Sequence, residues 1–201
     1  MHRRTATEEL IREVLKESYL GLSIDRIELV EDLRSGEASE VRVELRETRD
    51  ATREQVISGR GVGIVDALYH GLIEHYAAEY PSLKTIRFTG FEVKGRMGTS
   101  RARGLDAEAV VTLVVQNTDD RTFEFEEANR SLVTAALRVV AEAAEYFINS
   151  ERAFITVYRA LTDAKARNRA DLVQRYTSQL SELVNTTSYS EVIERIKSEA
   201  L

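Results

Sequence analysis

One pattern occurs twice along this chain, and a repeat of that kind restricts the fold more than any single motif inside it. In the first copy Ile24, Ile27 and Leu29 alternate loosely with Asp25, Arg26 and Glu28. Val41, Val43 and Leu45 then alternate with Arg42, Glu44 and Arg46, and the charged turn Arg49-Asp50 returns the chain to Val56 and Ile57. Each run has the period of two expected of a half-buried strand. Val65, Leu68, Tyr69, Leu72, Ile73 and Tyr76 follow at spacings of three and four, one face of a helix that ends near Tyr80-Pro81, where the only proline blocks further winding. The order then recurs. Thr85–Phe88 alternates, Ala109–Val115 reads as a strand, Thr118-Asp119-Asp120 as a turn, and Phe123 and Phe125 alternate on the return. A helix begins near Asn129-Arg130-Ser131 and carries Leu132, Val133, Ala136, Val139, Val140, Ala143 and Phe147. Val43–Leu45 answers Leu113–Val115 about 70 residues later, and Ile64–Ala67 answers Leu132–Ala135, the mark of internal duplication.

The expected fold is α/β, of the α+β kind. Two tandem βββα units in residues 22–149 pack about a pseudo-twofold axis, each helix covering a sheet face. Residues 1–21 form an N-terminal helix, with Thr5 and Glu8 as a capping box and Gly21 as its stop. Residues 150–201 form a helical extension. Beyond Glu151 there is no strand pattern and no glycine, but there are apolar stripes at Phe154–Leu161, Leu172–Leu183 and Tyr189–Ile196. Ser188 and Glu191 read as a second capping box.

Within the first copy, Gly59, Gly61 and Gly63 stand at every second position ahead of the apolar helix face. That places them where a loop becomes a helix N-terminus. Bare N–H groups and the positive end of the helix dipole there suit a carboxylate or phosphate. Absence of a Cβ also lets a ligand, or another backbone, come close. The spacing is neither the phosphate loop of nucleotide hydrolases nor the dinucleotide fingerprint.

The remaining composition narrows the function. A net charge of −6 argues against broad nucleic-acid binding. Lys94, Arg96, Arg101 and Arg103, punctuated by Gly95, Gly98 and Gly104, are the local exception and read as a solvated loop. No apolar run reaches the roughly 18 residues of a membrane span, and Met-His-Arg-Arg opens no signal peptide. With no cysteine there is neither a disulfide nor a thiolate site, so the expected compartment is the cytoplasm. His70 and His75, spaced five apart, do not share a helix face for a metal. No nucleophile–base pair follows from spacing, so no catalytic residue and no cofactor is expected.

Gly59-Arg60-Gly61-Val62-Gly63-Ile64-Val65-Asp66-Ala67-Leu68 resembles the Gly-x-Gly-x-Gly-Pro-Val-Asp-Ala-Leu signature of the C-terminal regulatory domain of 2-isopropylmalate synthase, shared with citramalate synthase. Gly104-Leu105-Asp106-Ala107-Glu108, Ser131–Ala136 and Glu145-Tyr146-Phe147 continue the likeness, over about residues 22 to 149. The family's proline is Ile64 here, the serine of its second helix is Ala136, and its catalytic barrel has no counterpart in this sequence. The resemblance implies a dimeric effector domain with the duplicated βββα fold. A branched-chain amino acid, leucine or isoleucine, would sit between the units near both helix N-termini. Position by position it points to Gly59, Gly61, Gly63, Ile64 and Ala67 in the first unit, and to Asn129, Ser131 and Ala135 in the second. Asp66, acidic in the first helical turn, is stabilising there without any ligand. The expectation is therefore a stand-alone regulatory protein, acting as a homodimer or on a separately encoded synthase catalytic chain or other partner, and not itself an enzyme. The competing expectation is an interaction module that binds a partner through its C-terminal helices.

Overall fold

A computed structural model describes residues 2–31, 34, 39–47, 54–97, 107–186, 189, 192–194 and 196. The fold is α+β, with two three-stranded antiparallel sheets and four α-helices traced among the described residues. In chain order they are α1 (His2–Leu15), β1 (Leu22–Val30), β2 (Ser39–Glu47), β3 (Glu54–Gly61), α2 (Ile64–Tyr76), β4 (Arg87–Met97), β5 (Ala107–Gln116), β6 (Thr122–Asn129), α3 (Leu132–Ala166) and α4 (Ala170–Leu183).

Alternation sets the first sheet. Val41, Val43 and Leu45 of β2 are buried, and their cross-strand neighbours Leu29, Ile27 and Ile24 on β1 and Ile57 on β3 share the inner face. The outer face is a ladder of alternating charge, with Arg26 Nη1 3.6 Å from Glu44 and Arg60 Nε 3.6 Å from Glu40. In the second sheet Val111, Leu113 and Val115 of β5 and Phe125 of β6 face inward, fully buried. Helix α2 packs on β2 and β3, α3 on β5 and β6, and α3 also touches α1, α2 and α4. One core joins them: the Tyr69 ring of α2 packs tilted against Phe88 of β4 with centroids 4.3 Å apart, and its hydroxyl donates to Leu83 O at 2.6 Å.

Several local expectations change. Helix α1 begins at His2, so Thr5 lies inside it and does not cap; the chain leaves α1 through Lys16, at φ 50°, ahead of Gly21. Helix α2 ends at Tyr76, and Pro81 instead opens a 3₁₀ turn, Pro81–Thr85. Lys94, Gly95 and Arg96 belong to β4 and pair with Val110, Ala109 and Glu108, so they are strand, not loop. Arg101, Arg103, Gly98 and Gly104 lie outside the described residues, as do Ser188 and Glu191.

The largest change is α3. The stripes at Leu132–Phe147 and Phe154–Leu161 are one helix of 35 residues that runs across position 150 without a break. Asn149, Ser150 and Glu151 sit at its centre, each 0% exposed. Asn149 accepts from Leu20 N at 2.8 Å and donates to Leu20 O at 2.7 Å, while Glu151 accepts from Ser82 N at 3.0 Å. Satisfied in this way, Asn149 and Glu151 tie the α1–β1 and α2–β4 connections to one helix at little desolvation cost, while Ser150 Oγ donates to Tyr146 O within the helix at 2.7 Å. The C-terminal segment folds back on the same body. Leu183, Tyr189 and Val192 are in the core, Tyr189 stacks on Phe154 at 4.2 Å, and Asn117 Nδ2 donates to Thr186 O at 2.8 Å.

Candidate functional site

Gly59 and Gly61 lie inside β3, opposite Val41 and Ser39, and not in a loop. What faces them is the backbone of α2. A Cβ on Gly59 would stand 1.9 Å from Ala67 O and 2.8 Å from Gly71 N; one on Gly61 would stand 2.5 Å from Ala67 N. Gly71 answers from the helix, where a Cβ would meet Ser58 O at 2.8 Å. Strand and helix therefore touch backbone to backbone, and three glycines leave the room. Ala67 lies in the same seam, 0% exposed.

Gly63 differs. It is the N-cap of α2, with extended backbone (φ −161°, ψ 178°) and no side-chain cap, and a Cβ there would find no atom within 4 Å. The first helical bond runs from Ala67 N to Gly63 O at 2.8 Å, so the N–H groups of Ile64, Val65 and Asp66 precede it. Asp66 turns its Oδ2 back to accept from Val62 N at 3.0 Å. His70 Nδ1 lies 3.0 Å from Arg60 O and 3.7 Å from Asp66 Oδ2, a bracket across the start of the helix.

The other three candidates sit at the start of α3, which is closed by its own side chains. Asn129 Oδ1 accepts from Ser131 N at 3.0 Å, and Ser131 Oγ, as N-cap, accepts from Thr134 N at 3.2 Å. Ala135 N bonds Ser131 O at 3.0 Å, and its methyl is fully buried. The structure thus brings Gly59, Gly61 and Ala67 into one seam and Asn129, Ser131 and Ala135 into one cap, with Gly63 and Ile64 at the open end of α2. Two clefts open elsewhere. One of about 440 Å³ is lined by Glu28, Glu40, Arg42 and Arg60 of the first sheet and by Glu74 of α2, and reaches Gly59. The other, about 240 Å³, lies between Ser18, Glu79, Arg152 and Arg159.

Sequence reasoning missed one titratable group. Glu145 of α3 accepts from Leu22 N under the start of β1. Burial pushes its carboxyl up to about 7; the Leu22 N–H opposes this, neighbouring Glu142 and Glu8 add to it, and Arg12 counters. Its signal was faint: a glutamate beside Tyr146 and Phe147, one turn before Asn149. Among the described residues no group of three or more His, Asp or Glu side chains converges as metal ligands, and no helix is long and apolar enough to cross a membrane. No protein-family model matches this chain, and no curated protein matches it either.

Proposed function

We propose that this chain is a regulatory domain of the 2-isopropylmalate/citramalate synthase type. In this reading its βββα units are related by a pseudo-twofold axis, and it binds leucine or isoleucine as a homodimer. It acts in the cytoplasm on a separately encoded synthase catalytic chain or another partner and performs no chemistry of its own. The open N-terminus of α2 carries the reading, because Gly63 has neither a side-chain cap nor a neighbour within 4 Å of its Cβ position. An amino-acid carboxylate there would accept from the N–H groups of Ile64 and Val65 and meet the positive end of the helix dipole. Half-buried Ile64 would flank a branched side chain, and the buried methyl groups of Ala67 and Ala135 would back the pocket from the two helices. Asn129 and Ser131 would hold the second wall through the cap of α3.

The C-terminal helices support this reading over the interaction module built on them. Leu183, Tyr189 and Val192 are spent in the core, and Tyr176, Leu180, Ile193 and Ile196 pack against it, so these apolar side chains serve the chain's own body. The test is a thermal-shift screen with leucine, isoleucine, valine, 2-oxo acids and citramalate. A ligand at a hundred times its dissociation constant adds about 2.7 kcal/mol, and melting rises by roughly 5–10 °C. Gly63→Leu fills the open cap without entering the core and abolishes the shift. A flat response to every compound at millimolar concentration refutes the proposal.

A further inference from the structure

Among the described residues strand β4 is an edge of the second sheet, paired with β5 on one side. Helix α3 covers β5 and β6, and the inner face of β4 extends past that cover. Phe91 and Val93 are 47% and 45% exposed, although the residues opposite them, Leu113 and Val111, are fully buried. A long edge that is apolar on one face invites pairing unless a bulge or charge blunts it. The register shift lies between Phe88 and Gly90, which leaves Gly90–Arg96 regular.

That segment is complementary to itself. Set antiparallel about Val93, Glu92 stands opposite Lys94 of a second copy, twice by symmetry, and Val93 meets its own counterpart. Phe91 falls opposite Gly95, around whose Cβ position no atom lies within 4 Å, so the ring has room. The charges are already on the right face, since Lys94 Nζ lies 2.9 Å from Glu92 Oε2 within the strand. Neighbouring registers are worse. A slip of one residue turns the apolar face outward; the two face-preserving slips set Glu92 against Glu92 or Lys94 against Lys94, and like charges directly opposite are destabilising.

We propose that β4 pairs antiparallel with β4 of a second copy of this chain, centred on Val93, joining the two three-stranded sheets edge to edge. The proposal deepens the homodimer of the preceding reading, rests on that part of it alone and needs no effector. Sedimentation velocity on the full chain across a concentration series tests it. The wild type is expected to dimerise. Glu92→Lys and Lys94→Glu each set like charges across the axis twice and raise the dimer dissociation constant about tenfold or more. The double reversal, E92K with K94E, restores the wild-type constant. Both side chains are exposed, so each variant keeps the wild-type circular dichroism spectrum. A chain that is monomeric at every concentration overturns this pairing and the homodimer together. A dimer whose constant ignores the single reversals overturns the strand pairing alone. Effector binding is read separately by thermal shift.

Discussion

Substituting Gly59 by alanine tests what the glycines of β3 are for. The new methyl would stand 1.9 Å from Ala67 O, 2.8 Å from Gly71 N and 2.9 Å from Ala67 C. Non-bonded carbon contacts are comfortable at about 3.5 Å, so α2 must move off the sheet by roughly 1.5 Å. The obstacle is backbone, which has no rotamer to change. Ala67, Leu68 and Leu72, at 1% exposure or less, would move with it. Overpacking a core typically costs about 1–3 kcal/mol, and a helix that must shift whole belongs at or above the top of that range. The loss of unfolded-chain entropy on replacing glycine returns about 0.4–1 kcal/mol. The net loss is about 2 kcal/mol or more, or a melting temperature lower by roughly 4–8 °C for a chain of this size. Gly63→Ala is the control, since its methyl meets nothing within 4 Å; an alanine N-cap loses under about 1 kcal/mol. Differential scanning calorimetry of both variants without ligand reads the difference. Equal melting of Gly59→Ala and wild type would refute the backbone seam.

Two further outcomes follow from α3. Glu145 holds its proton in the folded chain up to about pH 7, against 4.5 ordinarily. Its contribution is therefore complete below pH 4.5 and is lost as pH rises through 7, up to about 3 kcal/mol at 1.36 kcal/mol per pH unit. Glu145→Gln keeps an acceptor for Leu22 N but removes the titration. Urea midpoints of wild type should fall relative to the variant between pH 5 and 8; parallel curves would contradict the assignment. Asn149→Ala strands the buried N–H and C=O of Leu20 and is expected to cost about 2–5 kcal/mol. Denaturant unfolding checks this, and a loss under about 1 kcal/mol would mean that water or another side chain serves Leu20.

The parts of the fold legible in the sequence are those where side chains report their own burial. Val41, Val43 and Leu45 alternate with charges, and β2 is where that alternation puts it. Leu68, Leu72 and Tyr76 share a face, and α2 buries that face. Ser131 reads as a helix start and is the N-cap of α3. Glycine carries no such report. Gly59 and Gly61 sit at the inward positions of β3, where alternation asks for apolar side chains; the helix backbone occupies that space instead, so the strand reads as a loop. The same silence hides Gly95 in β4. The expected boundary between residues 149 and 150 falls inside α3, because the partners of Asn149 and Glu151, Leu20 and Ser82, are distant in sequence and nothing local shows that their polar atoms are satisfied. At the candidate site, the open N-terminus at Gly63 was legible from motif spacing, whereas the closure of α3 by Asn129 and Ser131 depends on side-chain orientation.

The most direct test of the regulatory reading is a titration of leucine and of isoleucine into the ¹⁵N-labelled chain, followed by amide resonances. A saturable shift centred on Gly63, Ile64 and Val65, at effector concentrations up to millimolar and absent in Gly63→Leu, is the expected result. Amides at the start of α2 that stay still with both amino acids, or shifts confined to the outer face of the first sheet at Ser58 and Arg60, would contradict it.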